Sequence, residues 1–130
     1  MAITPLTRYA LPASIGSALL ALGGVLHLAV GYPRLLEGIA AAHLSIETLI
    51  KAVWVAAGLN FLFFAGIALA QVLSPSRSRI VVVLIGIAAL ANAVTLQWFV
   101  RDVHPAVPIF GLAGFFLLLA AYRLPARPSS

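Results

Sequence analysis

Four stretches of this chain carry no Asp, Glu, Lys or Arg: Tyr9 to Pro33, Ala52 to Ser76, Ile80 to Val100 and Val103 to Tyr122. About 20 consecutive apolar residues allow a helix to cross the hydrocarbon core of a bilayer, and each run reaches that length. The composition agrees, because 63% of the 130 residues are hydrophobic and only 8% are charged. A soluble domain carries about 25% charged residues to cover its water-facing surface. The pattern predicts an all-α integral membrane protein, folded as an antiparallel four-helix bundle. A single domain covers residues 1–130, with spans near 9–33, 45–73, 80–100 and 103–122 and a frayed tail over 124–130. The first run is longer than the roughly 7 to 15 apolar residues of a signal-peptide core, so it reads as a retained helix.

The charges set the orientation. Net charge is +5, but the basic residues stand singly beside apolar runs, which is the pattern of membrane flanks and not of a nucleic-acid surface. Arg8, Arg77, Arg79, Arg123 and Arg127 fall at one end of the predicted bundle, with no acid among them. Arg34, Lys51 and Arg101 fall at the other, with Glu37, Glu47 and Asp102. The positive-inside rule then places both termini in the cytoplasm, in what reads as a bacterial inner-membrane protein. The connection at Ser74 to Arg79 is short and contains Pro75. The one from Arg34 to Lys51 is longer, with room for a short helix from Leu35 to Ala42. Short connections predict antiparallel neighbours.

All three histidines and all three acids gather toward the end away from the termini. His27 lies inside the first apolar run, where an ionisable side chain is costly and marks a candidate functional group. Gly16, Gly23, His27 and Gly31 share one stripe of the first helix, so His27 is expected to point into the bundle. His43, Glu47, Trp54, Gly58 and Phe61 share a stripe of the second, and Glu47 and Lys51 are spaced for an intrahelical ion pair. His43, Glu47 and Lys51 are read either as a solvated helix start or as part of a site. His104 precedes a proline and reads as interfacial. Trp98 and Tyr32 read as belt aromatics. Asn60 and Asn92 are expected to hydrogen-bond between helices.

Neutral imidazole ligates haem iron, zinc or copper. His43 is the candidate cofactor and metal ligand, His27 faces it as a second cofactor-binding or catalytic group, and Glu47 is placed as a supporting carboxylate or proton acceptor. The chain has no cysteine, which excludes thiolate nucleophiles and Cys-ligated clusters. There is no HExxH spacing, Gly-rich phosphate loop or GxSxG elbow.

The segments "LHLAVGYP", "AAHLS" and "ALANAVTLQWF" resemble styrene oxide isomerase, a family of small four-helix membrane enzymes. These hold haem b between subunits and isomerise epoxides to carbonyl compounds. The resemblance spans roughly residues 22 to 100. It implies haem b as cofactor, His43 as its axial ligand and small apolar compounds as substrates. Two family positions differ: an asparagine after the histidine falls on Leu49, and a pocket tyrosine of the third helix falls on Leu96.

Two other functional classes fit the same sequence. A small proton-coupled transporter would use Glu47 as its membrane carboxylate. A non-catalytic subunit of a larger membrane complex would present its small-residue stripes to partner helices. A four-helix protomer leaves much of this surface uncovered, so a homo-oligomer in the lipid bilayer is expected in every case.

Overall fold

The computed structural model of the chain describes residues 5–42, 46–74, 77–99 and 104–124. Among these residues there is no strand. The elements are α1 (Pro5–Leu26), a π-helical segment (His27–Gly31), α2 (Tyr32–Ala42), α3 (Glu47–Leu73), α4 (Arg79–Phe99) and α5 (Ala106–Arg123). With α1, the π segment and α2 taken as one rod, four helices are long and apolar enough to cross a membrane. Helices suit that medium because each satisfies its own backbone donors and acceptors.

The first rod departs from the expected span of 9–33. The separate short helix read over 35–42 continues the first span without a break: Leu26 (φ −63°, ψ −38°) and Tyr32 (φ −62°, ψ −47°), on either side of the π segment, are both helical. The reason lies at Pro33, the second residue of α2. In an unbroken α-helix its ring would crowd the carbonyl of Ala29, and it has no N–H to offer. The wider π turn just before it relieves that crowding, and the N–H of Tyr32 bonds to the carbonyl of His27, five residues back.

The other ends shift less. The fourth span begins at Ala106, where the backbone N–H donates to Nδ1 of His104 at 3.2 Å. His104 thus caps a helix start at an exposed position. Leu124 is buried, and its N–H bonds to the carbonyls of Ala120 and Ala121, so the chain is still ordered where the tail was expected to begin. Pro125 to Ser130 lie outside the described residues.

Loop length predicts only part of the packing: α4 and α5, consecutive and closely connected, form a main interface. α3 and α4 are joined by a short connection yet scarcely touch. The main interfaces run α3 to α1, α1 to α5 and α5 to α4. Glycines set this order. A Cβ on Gly24 would lie 3.1 Å from the carbonyl of Gly58 on α3, one on Gly16 would lie 3.1 Å from that of Ala113 on α5, and one on Gly114 would lie 2.8 Å from that of Gly86 on α4. Small residues let helix backbones approach in this way. The predicted single stripe of Gly16, Gly23, His27 and Gly31 is therefore shared between two neighbours: Gly16 and Gly23 meet Leu117 and Phe110 of α5, while Gly31 meets Trp54 of α3. The core between the helices is alanine-rich, with Ala13, Ala65, Ala68, Ala89, Ala93, Ala113, Ala120 and Ala121 around Tyr9, Leu20, Phe61, Phe110 and Leu117.

Three of the arginines assigned to one end do gather there. The Arg77 guanidinium lies 5.5 Å from the centre of the buried Tyr9 ring, and Nη1 of Arg123 donates to the carbonyl of Arg8. The expected interhelical amide bonds are not formed. Asn92 donates to the carbonyl of Ala88 in its own helix at 2.8 Å, as the buried Ser17 hydroxyl does to Ala13 at 2.8 Å. The Asn60 side chain is exposed and makes no hydrogen bond among the described residues.

Two glycines of α5 separate close approach from helix propensity. A methyl on Gly114 meets the backbone oxygen of Gly86, whereas one on Gly111 meets nothing within 4 Å. Gly114→Ala should lower stability by about 1–3 kcal/mol, and Gly111→Ala should be neutral or raise it by up to about 1 kcal/mol. Thermal melts in detergent compare the two directly, and equal effects would contradict the packing order given above.

Candidate functional site

The π segment opens at His27, and α3 lies against it because the contact positions are small. A Cβ on Gly58 would fall 2.5 Å from Leu28 and 3.1 Å from Cδ2 of His27, and one on Gly31 would fall 2.9 Å from the indole of Trp54. Into this close crossing the two helices place a reciprocal pair. Nε2 of His27 lies 3.0 Å from the backbone carbonyl of Trp54, and the Trp54 indole N–H donates to the backbone carbonyl of His27 at 3.1 Å. The rings are stacked, with centroids 4.2 Å apart and planes at 12°. Phe61 meets the imidazole edge-on at 5.9 Å, and Phe110 of α5 continues the aromatic row.

This geometry fixes the chemistry of His27. A carbonyl only accepts, so Nε2 must carry the proton and the ring is the Nε2–H tautomer. Nδ1 is then the nitrogen with the lone pair, and it has no hydrogen-bond partner among the described residues. Histidines that bind metals or act as bases are oriented in this manner, by giving their other N–H to a carbonyl or carboxylate. The π segment contributes too: the carbonyl of His27 accepts both the Tyr32 N–H and the Trp54 indole.

Beside the pair is an apolar groove of about 320 Å³, lined by His27, Leu49, Ile50, Val53, Trp54 and Ala57. Its rim is open, since Leu49 and Val53 are 62% and 61% exposed. A second, more open groove of about 480 Å³ runs along α3 from Tyr32 and Lys51 to Leu59.

Of the other predicted site residues, the described one, Glu47, is not brought to His27. Glu47, at the first turn of α3, forms the intrahelical ion pair with Lys51, and both side chains are substantially exposed. An acid there also suits the positive end of the helix dipole. His43, Arg101 and Asp102 lie outside the described residues. Among the described residues, no three His, Asp or Glu side chains are grouped to hold a metal ion. Nε2 of His27 is engaged by the Trp54 carbonyl.

Trp54 is the residue that sequence reasoning missed. Its stripe was recognised, but its pairing with His27 was not. The signal available was weak: two glycine-bearing stripes on consecutive apolar helices, and Pro33 a few residues beyond His27. No protein-family model, no curated protein and no solved structure matches the chain.

Each hydrogen bond of the pair joins a side chain to a backbone carbonyl and is lost in its own single variant, so the ring stacking is what couples the two substitutions. Hydrogen bonds between membrane helices are worth about 0.6 kcal/mol on average and up to about 1.7 kcal/mol, and stacking adds about 0.5–1.5 kcal/mol. A double-mutant cycle of His27→Leu and Trp54→Phe, read by thermal or denaturant unfolding in detergent, should cancel the hydrogen bonds and give a coupling of about 0.5–1.5 kcal/mol from the stacking. Additive effects would mean that the two rings act separately.

Proposed function

We propose that this chain is a membrane-embedded enzyme that draws a small apolar compound from the lipid into the groove between α1 and α3 and acts on it through His27. The observation that carries this reading is the locked tautomer of His27, which leaves one basic nitrogen free on a residue that lines an apolar groove. With an aryl epoxide, a neutral base held against an indole would take a proton from the terminal carbon of the epoxide ring as the benzylic C–O bond breaks, and return it to the benzylic carbon of the enolate so formed, which leaves the aldehyde. Such a transfer changes no overall composition and needs no second reactant, so isomerisation is the reaction class that fits. The resemblance to styrene oxide isomerases points the same way, and an aryl epoxide is the first substrate to try. In this reading haem b, where bound, is held by His43. The gathering of Arg8, Arg77 and Arg123 supports a cytoplasmic location for that end, with the groove toward the outer leaflet.

The transporter reading is less well supported. Glu47 is exposed and ion-paired at a helix start, not isolated in the membrane interior. The non-catalytic subunit reading draws on one specific observation: the reciprocal pair with Trp54 accounts for His27 without any substrate.

One set of variants separates these readings. With purified protein, product formation from an aryl epoxide should fall roughly 100-fold or more in His27→Leu. Trp54 fluorescence, isolated by Trp98→Phe, should still respond to the bound compound. A Soret band that survives in His27→Leu and vanishes in His43→Gln would place haem on His43. No turnover by the wild type, or equal turnover by His27→Leu, would leave His27 as a helix-docking residue only.

A further inference from the structure

The exposed face of α3 has a periodicity that the fold itself does not use. Leu49, Val53, Ala56, Asn60 and Phe63 follow one another at alternating steps of four and three residues, and Ala70, one heptad after Phe63, continues the row; Ile67 between them is partly buried against the core. That is the spacing of a seam between two helices wound into a left-handed pair. The helix already buries a different face, with Phe61, Ala65 and Ala68 against its neighbours. Along the seam, Leu49, Val53 and Phe63 are 62%, 61% and 64% exposed, and Ala56, Asn60 and Ala70 are exposed as well.

Asn60 identifies what covers this face. It is the middle residue of Glu47–Leu73, so in a spanning helix it lies near the centre of the bilayer. Its carboxamide has no partner among the described residues, and an unpaired amide in hydrocarbon is costly. Lipid tails cannot satisfy it. A second copy of the chain can, because a carboxamide is both donor and acceptor and a copy inserted in the same orientation presents its own Asn60 at the same depth. A two-fold axis along the membrane normal then sets the two α3 helices parallel and brings the amides together. In two-stranded coiled coils, a lone asparagine at such a seam position fixes register and pairing. Ala56 and Ala70 allow the backbones to approach.

We propose that the protein is a parallel homodimer, built on α3 and centred on an Asn60–Asn60 hydrogen bond in the membrane interior. The inference stands whether or not the groove binds a ligand. Leu49 and Val53 belong both to the seam and to the rim of the groove, so the second copy borders one edge of the groove.

The cysteine-free sequence makes the test direct. Single substitutions Ala56→Cys and Phe63→Cys, on either side of Asn60, should give disulfide-linked dimers when membranes are oxidised with copper–phenanthroline. Phe115→Cys, on the exposed face of α5, should not. Adding Asn60→Leu should weaken association roughly 5- to 30-fold, measured by resonance energy transfer between labelled copies across a dilution series in lipid. Its monomer should melt as the wild type does, because Asn60 bonds to nothing among the described residues. Cross-links at Phe115→Cys as strong as those at Ala56→Cys would overturn the proposal. So would association unchanged by Asn60→Leu, or cross-linking of α3 to a different protein.

Discussion

An unpaired polar group is costly in an apolar medium, and Ser17, Asn92, His27, Trp54 and Asn60 differ in where a partner for each can be found. Ser17 and Asn92 turn back to carbonyls of their own helices, which disturbs nothing else. His27 and Trp54 pair across two helices. That pairing requires the close crossing permitted by Gly31 and Gly58 and the local widening at the π segment. Asn60 is exposed and finds no partner among the described residues. Three solutions to one constraint give the helix interior, the candidate site and the proposed dimer.

The packing follows from a related constraint. Apolar side chains gain little by leaving lipid for protein, so helices associate where their backbones come close. Glycine and alanine positions therefore decide the neighbours. α3 carries one buried glycine, Gly58, which faces α1, while a Cβ on Gly66 would meet nothing. This is why α3 docks on α1 and leaves the α4 side largely open, although a short connection ties α3 to α4. The groove beside His27 is a product of that arrangement, because the α1–α3 crossing brings the imidazole to an apolar surface.

Much of the fold was legible in the sequence, because charge-free runs of spanning length fix the number and nature of the helices almost alone. The Glu47–Lys51 pair was legible for the same local reason, as was the inward placement of His27 from its glycine stripe. What was not legible depended on relations between helices. Pro33 gave no decision between ending the first span and bending it through a π turn. The docking of α3 could not be read from loop lengths, because backbone approach at Gly24 and Gly58 overrode the short connection to α4. Trp54 could be placed on a stripe, but the identity of its partner needed the crossing point of α1 and α3.

The most direct measurement is the protonation pattern of the His27 ring, read by nitrogen and carbon NMR of selectively labelled histidine in lipid, with His27→Leu used for assignment. The expected result is a single neutral tautomer with the proton on Nε2, since the Trp54 carbonyl can accept only from that nitrogen. In Trp54→Phe, which keeps the carbonyl, the same tautomer should persist. A ring protonated on Nδ1, or an even mixture of the two tautomers, would mean that Nε2 is not held by Trp54. It would remove the free basic nitrogen on which the functional reading stands.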